Sequence, residues 1–379
     1  MSLLYVLLPL LALFDLQNAL AYWRRGVLVP TDETTDDYTV VVPLYGHPRY
    51  LQNLDFLKEI KPNVVIAIDT GSRAIRPFAL RLVRDGWRVH TVQLGDNVGP
   101  DSILQATLAS NAVKTTWIVR MDADTWTDDD LGRAVAVAKR HGAHMCSVKC
   151  HVAPPKNVCE QLQFTEYAMA MRTRHYRAWM TSGACILGTT HAYRTALERH
   201  SLNFATCGGD IETGQIARNL RMKVRHVDFV VYTEVPSSWR CLIRQRLLWW
   251  GSSFRTIVCN FDSALRMPGY LFYYLGLVWI GLYWKVQGDV HVDRIAYYLP
   301  TLMVAYTVVC LVTNWPVRSK WMILFPYYSL AQVMVMPLAG SAWFIQYAIR
   351  KRKNPRFRFG FCRGRYEAAP PAELLSEPA

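Results

Sequence analysis

The chain has 379 residues, more than one ordinary domain needs, and 51% of them are apolar, slightly above the norm for soluble proteins. The excess lies at the amino end and beyond residue 265, which indicates a soluble middle region between membrane segments. The formal net charge is +14, but RNP-like motifs and zinc-finger spacings are missing from the sequence, so we favour a lipid bilayer over a nucleic-acid partner as its explanation.

The first element is an apolar run from residue 2 to residue 23, followed by Arg24 and Arg25. Its length is about that of a helix that crosses a bilayer. A cleaved signal peptide is the alternative, but in such peptides the positive charges precede the apolar run. We therefore predict an uncleaved transmembrane helix over 1–25, with its amino end outside and both arginines in the cytoplasm.

Short apolar runs alternate with helical patterns over residues 38–237. The runs at 38–43, 63–69, 87–92 and 117–121 have the length and composition of buried strands. Strands and helices that alternate at this spacing predict an α/β fold with a mostly parallel, doubly wound sheet.

Acidic residues stand at the ends of these predicted strands. Asp69 ends the second strand, and Asp122 and Asp124 follow the run that begins at Trp117. Open α/β sheets bind ligands at the carboxyl edge of their strands. Two carboxylates in one turn can reach one hard cation, and Mg²⁺ or Mn²⁺ prefers such ligands while it keeps substrate phosphates in other positions. A solvated acidic turn or a helix N-cap is the alternative explanation.

Two later segments carry small or acidic residues. We predict one long helix over 160–179, and then a loop of small residues at 182–184 that suits either a tight turn or the close approach of a ligand. Asp210 follows two glycines and begins a further predicted helix. It could be an N-cap. Alternatively, a carboxylate placed there could accept a proton from a sugar hydroxyl as a general base.

Residues 238–262 form a basic, aromatic and leucine-rich segment that includes Arg244, Gln245, Arg246 and Trp249. This composition predicts an amphipathic helix that lies on the bilayer surface. The guanidinium groups could also bind a pyrophosphate through paired hydrogen bonds.

A second membrane region is predicted over 268–350, where Tyr and Trp recur at the ends of apolar runs. The runs fall at 270–284, 295–312 and 332–349. Three spans would leave the basic residues after 349 outside, against the positive-inside rule, so either one segment is re-entrant or two short helices fill 322–349. The tail at 351–379 is basic and then rich in Pro, Ala and Glu, which predicts disorder.

The nine cysteines form an odd, scattered set. Cys146 and Cys150 are spaced as one possible metal-binding pair, but a second pair is missing from the sequence, which argues against a zinc site. We therefore predict free thiols.

Taken in order, these motifs resemble those of the membrane-embedded family 2 glycosyltransferases, which include the cellulose, chitin and hyaluronan synthases. The resemblance covers about residues 38–260. The matching motifs are Asp69, Asp122-Ala-Asp124, Ser182-Gly183-Ala184, Gly209-Asp210-Ile-Glu212-Thr213 and Gln245-x-x-x-Trp249. The resemblance implies a GT-A fold, a nucleotide-diphosphate sugar donor that is usually UDP-linked, and transfer with inversion. It also implies an integral protein of the plasma (inner) membrane with a cytosolic catalytic domain.

The same resemblance implies a role for each matched residue. Asp124 would hold Mg²⁺ or Mn²⁺, Asp210 would be the general base, and Trp249 would lie under the acceptor sugar. The residues implied on the donor side are Tyr45, Asp69, Asp96, Asp122, Arg244 and Arg246. Those implied on the acceptor side are Ser182, Gly183, Gln245 and Trp249.

Two departures from the family pattern bear on the product. Leu248 replaces the arginine of the Q-x-x-R-W motif, so its contact with the diphosphate would pass to Arg244 or Arg246. Gly99-Pro100-Asp101 replaces a Gly-Lys-Ala that often follows the third strand. Both weaken any inference about the particular sugar or about processive synthesis.

Three hypotheses follow for the function. The first is a synthase that extends a polysaccharide and translocates it through its own helices. The second is a transferase that adds one sugar to a polyprenyl phosphate or other lipid acceptor, which Leu248 and the short membrane region favour. The third is a transporter or receptor with a nucleotide-binding domain, which the scarcity of ionisable residues in the predicted spans disfavours.

Overall fold

The computed structural model describes residues 17–22, 26–94, 99–199, 209–259 and 292–351. Most of the predicted amino-terminal span, the predicted span at 270–284 and nearly all of the tail lie outside these ranges, as does Asp96. Within the predicted amino-terminal span, Gln17–Tyr22 is a 3₁₀ helix.

A nine-stranded sheet forms the centre of the described chain. Its strands are β1 (Val27–Leu28), β2 (Tyr38–Tyr45), β3 (Val64–Asp69), β4 (Val89–Val92), β5 (Trp117–Met121), β6 (Thr125–Trp126), β7 (Met145–Val152), β8 (Cys185–Thr189) and β9 (Val224–Thr233). Their order in the sheet is β1-β9-β7-β8-β5-β2-β3-β4, and β6 pairs with β9. The central strands β2, β3 and β5 are buried along nearly all of their length and mostly apolar, because both faces of the sheet are covered.

Most of the strand pairs are parallel, which confirms the prediction of an α/β fold with a mostly parallel sheet. The sheet is nevertheless mixed, since β8 is antiparallel to β5 and β7, and β6 is antiparallel to β9. The direction of β8 pairs its first residue, Cys185, with Met121, the last residue of β5. The loop that enters β8 therefore lies at the same edge of the sheet as the acidic turn after β5.

The described helices are α1 (Leu54–Glu59), α2 (Arg76–Arg84), α3 (Pro100–Ala109), α4 (Leu131–Arg140), α5 (Val158–Arg172), α6 (Thr190–Glu198), α7 (Gly209–Asn219), α8 (Trp239–Cys259), α9 (Val292–Thr313) and α10 (Phe325–Lys351). The prediction of one long helix over 160–179 is wrong at its carboxyl end. Helix α5 stops at Arg172, and a 3₁₀ turn follows over Thr173–His175. The Thr173 hydroxyl donates to the Ala170 carbonyl at 2.6 Å, a side-chain bond of the kind that competes with helix continuation.

Two apolar cores cover the two faces of the sheet. Ile66 and Ile68 of β3 belong to the core that includes Leu57 of α1, whereas Val65 packs on the other face with Leu104 of α3. This alternation is the period of two expected of a strand. Six cysteines in the described ranges are free thiols, as predicted: Cys146, Cys150, Cys159, Cys185, Cys241 and Cys310.

Helix α8 crosses the last described helix, α10, at two glycines. A Cβ on Gly340 would lie 2.8 Å from the backbone nitrogen of Gly251, so the two backbones are in direct contact. Helix α10 runs unbroken through Pro337, which overturns the alternative of two short helices over 322–349. Within the described ranges, Phe325–Arg350 is the one segment that is long and apolar enough to cross a membrane, by length and composition alone.

Candidate active site

The acidic turn after β5 is held in place by a side chain from the loop that follows β2. Asn53 donates from Nδ2 to the carbonyls of Asp122 at 3.1 Å and Thr125 at 2.5 Å. The backbone N–H groups of Gln52 and Asn53 both donate to the Ala123 carbonyl, at 2.8 and 3.2 Å. Asn53 is only 5% exposed. Sequence reasoning missed this residue, because one asparagine in a loop carries no distinguishing signal.

A buried arginine lies beside the turn. Arg120, in β5, is 3% exposed, and its Nη2 is 3.0 Å from Asp122 Oδ1. Its Nε is 4.0 Å from Asp101 Oδ1, and its Nη1 donates to the Gly183 carbonyl. A buried charge is costly unless it is paired, so these contacts fix the arginine and its partners together. Sequence reasoning also missed Arg120, although a charged residue inside an apolar strand was a usable signal.

The loop that enters β8 brings Asp210 to the same place. The backbone N–H of Gly183 donates to Asp210 Oδ2 at 2.6 Å, and the Thr181 hydroxyl donates to the Asp210 carbonyl. A Cβ on Gly183 would lie 2.7 Å from Arg120 Nη1, 3.1 Å from Asp122 Oδ2 and 3.3 Å from Asp210 Oδ2. The guanidinium and the two carboxylates therefore converge on Gly183, and Asp210 does more than begin helix α7.

Burial perturbs all three carboxyl groups of the site. It raises the pKa of Asp210, and the nearby Arg120 partly offsets the increase. Burial likewise raises the pKa of Asp122 to about 7, with Arg120 opposing the shift and the carboxylates of Asp124 and Asp210 adding to it. The pKa of Asp124 is also raised, mainly by burial. Perturbed carboxyl groups that cluster at a sheet edge are typical of a functional site.

The acidic turn fits a cation whose coordination a substrate completes. Asp124 Oδ1 accepts hydrogen bonds from the hydroxyls of Thr125 and Thr233, and both are long, at 3.4 Å. The described ranges contain no cluster of three or more His, Cys, Asp or Glu that could hold a metal ion. A closed protein cage is therefore missing from this part of the chain. Mg²⁺ commonly uses one or two carboxylates together with substrate phosphates, a role that Asp124 and Asp122 can fill.

The predicted donor-side residues of the first strands lie side by side. Tyr45 and Asp69 are partners in the parallel register of β2 and β3, at the carboxyl ends of both strands. Asp69 is buried, and its Oδ1 accepts from the backbone N–H groups of Gly71 at 2.9 Å and Leu94 at 3.1 Å. Asp69 thus has a structural role in its turn, and its contact with a nucleobase stays a prediction. Asp96 lies outside the described residues.

Arg246 of α8 makes contacts that join three helices. It is 2% exposed, and its Nη2 is 2.6 Å from Oε2 of Glu166 on α5. The Tyr328 hydroxyl of α10 donates to the same oxygen at 2.8 Å, and the Arg246 guanidinium lies 4.0 Å from the centre of the Trp249 ring. The predicted contact of Arg246 with the donor diphosphate stays a prediction. Arg244 is exposed on the same helix, and the acceptor-side residues Gln245 and Ser182 are half-buried.

A second buried ion pair anchors the helix that carries Asp210. Glu212 lies in the first turn of α7, and its Oε2 is 2.8 Å from Nη2 of Arg255 on α8. Both side chains are almost fully buried. The acidic residue that follows Asp210 in the sequence therefore ties α7 to α8.

Comparison with solved structures shows weak likeness. The mannosyltransferase PcManGT from Pyrobaculum calidifontis, solved with GDP-Man and Mn²⁺, is 16% identical over 92% of this chain and 90% of its own, with a TM-score of 0.48. S. aureus TarS is 14% identical over 80% of this chain and 55% of its own, with a TM-score of 0.39. Likeness at these scores carries no argument about donor or acceptor. No curated protein matches the chain in sequence.

The family comparison is decisive. The model of the family described as "Glycosyltransferase like family 2" matches residues 36–252, which is more than half of the chain. The matched region begins just before β2, ends within α8, and contains Asp122, Asp124, Gly183 and Asp210. The chain therefore belongs to glycosyltransferase-like family 2.

Proposed function

We propose that this protein is an inverting, metal-dependent membrane glycosyltransferase that transfers a sugar from a UDP-linked donor to a growing polysaccharide and translocates the product. The observation that carries the proposal is the convergence of Arg120, Asp122 and Asp210 on Gly183. That arrangement places the half-buried carboxylate of Asp210 next to the acidic turn that would face a diphosphate.

Asp210 acts as the general base in the proposed reaction. It takes the proton of the acceptor hydroxyl while that oxygen forms a bond to the anomeric carbon of the donor sugar. The bond from the anomeric carbon to the diphosphate oxygen breaks, and the nucleoside diphosphate leaves with the electron pair. Attack from the side opposite the leaving group inverts the anomeric centre without a covalent enzyme intermediate. The raised pKa of Asp210 makes it a stronger base than an ordinary aspartate.

The diphosphate side is formed by the acidic turn. Asp124 and Asp122 would hold Mg²⁺ or Mn²⁺, which when bound neutralises charge on the leaving diphosphate. Arg120 is a positioning residue, because it pairs with Asp122 and holds the Gly183 carbonyl while the Gly183 N–H holds Asp210. The base and the diphosphate side are thereby kept in a fixed relation.

The acceptor side is assigned to α8. Trp249 is half-buried, and its ring centre is 6.4 Å from that of Tyr167 on α5. Aromatic rings of this kind suit the apolar faces of sugars. A lipid-linked acceptor is the second candidate, because Leu248 replaces the family's arginine and is 37% exposed on α8.

The test uses the purified full chain in detergent or nanodiscs with Mn²⁺ or Mg²⁺. UDP-GlcNAc, UDP-Glc, UDP-GlcA and GDP-mannose are screened for nucleoside-diphosphate release, and the products are resolved on a gel. Release from a UDP-sugar with a high-mass product supports the synthase. A small lipid-soluble product supports the lipid acceptor instead. Asp210→Asn is the matched control, and wild-type release no greater than that of this variant with every donor would contradict the proposal.

A further inference from the structure

A cavity of about 650 Å³ lies beside the amino ends of β1 and β9. His226, near the start of β9, lines it, whereas Thr233 at the other end of the same strand contacts Asp124. Seven residues of strand separate these two positions by about 20 Å. The cavity is therefore distinct from the candidate active site.

The cavity has a basic and aromatic lining. The residues that give it this character are His175, Tyr176, Trp179, Arg218, Arg225 and His226. Asp and Glu do not occur among the described residues that line it. Arg225 forms no ion pair with a carboxylate in the described part of the chain. A half-buried arginine fork of this kind matches the geometry of a phosphate or carboxylate group.

His226 supplies a buried polar atom that lacks a partner. The residue is 1% exposed, and its Nδ1 is 2.9 Å from the Ser147 hydroxyl on β7. Its Nε2 is buried and has no hydrogen-bond partner among the described residues. Because Nδ1 is engaged by Ser147, Nε2 is the ring nitrogen that lacks a partner in the described part of the chain. Buried polar atoms are nearly always satisfied, so a ligand oxygen at this position would complete the site.

The remaining wall is apolar and continues toward the predicted membrane segment. Leu20 and Met222 line the cavity with Trp179, and the Arg218 guanidinium lies 5.4 Å from the centre of the Trp179 ring. Leu20 belongs to Gln17–Tyr22, which ends the amino-terminal apolar run. The lining thus suits a ligand in which an anionic group adjoins an apolar part.

We propose that this cavity binds a phosphate group, either as the headgroup of an anionic lipid or as a free phosphate compound. Arg225 pairs with the phosphate, and His226 Nε2, which carries the proton when Nδ1 accepts from the Ser147 hydroxyl, donates to one of its oxygens. The cavity is separate from the proposed donor and acceptor sites, so the test of this proposal does not depend on the proposed glycosyl transfer.

The experiment uses the delipidated full chain in detergent. The probes are dioctanoyl phosphatidic acid, the matching dioctanoylglycerol that lacks the phosphate, and inorganic phosphate. Dissociation constants are measured by native mass spectrometry for the lipids and by competition for inorganic phosphate. The variant is Arg225→Gln, with Arg84→Gln, at an exposed residue of α2, as the matched control. Thermal unfolding establishes that each variant is folded.

The wild-type chain is expected to bind the phosphatidic acid and not the neutral lipid. Loss of one arginine contact is expected to raise the dissociation constant about tenfold, whereas Arg84→Gln leaves it unchanged. If inorganic phosphate binds alone and competes with the lipid, the ligand of the cavity is a free phosphate compound. If only the lipid binds, the ligand is the phosphate headgroup of an anionic lipid. Three results would overturn the proposal. The neutral lipid could bind as tightly as the phosphatidic acid, or folded Arg225→Gln could bind the phosphatidic acid as tightly as Arg84→Gln does. The third result is that the wild-type chain binds none of the probes.

Discussion

Arg120 is the residue on which the geometry of the site depends. Its planar guanidinium contacts Asp122, Asp101 and the Gly183 carbonyl in three directions, which a lysine ammonium on one stem cannot reproduce. Asp101 is buried, and its Oδ1 lies 4.0 Å from Arg120 Nε. Asp101 thus gives the buried arginine a second carboxylate beside Asp122.

Replacement of Arg120 should shift the pH dependence of catalysis. A base must be ionised, so kcat/KM falls as the pH drops through the pKa of Asp210, which burial has already raised. Arg120 lowers this pKa, and its loss in Arg120→Met should therefore move the acid limb of kcat/KM to higher pH. Arg120→Lys keeps a positive charge and should move the limb less.

The pH profiles of kcat/KM for Arg120→Met and Arg120→Lys are compared with that of the wild type. They are measured only on variants shown to be folded, since removing one partner of a buried ion pair costs about 3–5 kcal/mol of stability. An acid limb of Arg120→Met that coincides with the wild-type limb would contradict the positioning role.

Asp210→Asn should separate catalysis from donor binding. The amide keeps the shape of the side chain but cannot take a proton, so transfer should fall by at least about a hundredfold. Donor binding, measured by calorimetry with a UDP-sugar and Mn²⁺, should be retained. Loss of binding and transfer together would count against the assignment of Asp210 as base.

Asp124→Ala should remove the metal dependence of donor binding. The long hydrogen bonds of Asp124 leave its carboxylate available to a cation, and its substitution removes that ligand. The measurement is donor affinity with and without Mn²⁺. Asp128→Ala, at an exposed acidic residue of the loop after β6, is the matched control and should behave as wild type. Undiminished Mn²⁺ dependence in Asp124→Ala would refute the role.

At the scale of elements, the antiparallel direction of β8 assembles the site. Cys185 pairs with Met121, so the residues before β8 return to the edge where β5 ends. Had β8 run parallel to β5, Gly183 would lie at the opposite edge, about 16 Å away for a strand of five residues. Strand direction therefore decides whether Asp210 can meet Asp122.

The crossing of α8 and α10 depends equally on close approach. A Cβ on Gly340 would lie 2.7 Å from Trp250 Cβ and 2.8 Å from the Gly251 nitrogen, so Gly340→Ala must push the helices apart. We expect a loss of about 1–3 kcal/mol, seen as a lower midpoint of thermal unfolding in detergent. Leu338→Ala, at an exposed position of α10, is the control. Equal midpoints of thermal unfolding for Gly340→Ala and Leu338→Ala would show that α8 and α10 do not pack closely at Gly340.

At the scale of the whole molecule, one carboxylate links the transferase domain to the last described helix. Glu166 of α5 accepts from Arg246 of α8 and from Tyr328 of α10 through the same oxygen. The candidate acceptor residue Trp249 lies under that arginine. Its position is therefore set jointly by the catalytic domain and by the apolar helix that follows.

Glu166→Gln should loosen this link. It leaves the Arg246 charge buried without a carboxylate, which we expect to cost about 1–3 kcal/mol of unfolding free energy. Glu59→Gln, at an exposed residue of α1, is the control. The readouts are thermal unfolding and the KM for acceptor. A Glu166→Gln variant that matches the control in both would show that the ion pair contributes nothing.

The sequence by itself determined the strands and the acidic residues at their ends. β2, β3 and β5 are recognisable because a strand covered on both faces needs a continuous apolar run, which is a local property. Asp122, Asp124 and Asp210 could be chosen because the family motifs are short and occur in a fixed order.

Only the tertiary structure decided how these residues meet. Asn53 lies 69 residues from Asp122 in sequence, Gly183 lies 27 from Asp210, and Arg246 lies 80 from Glu166. Contacts over such separations depend on strand direction and helix packing, which neither composition nor periodicity encodes. A buried arginine shows its purpose only when its partners are seen around it, because its charge is tolerable only where packing brings carboxylates to it.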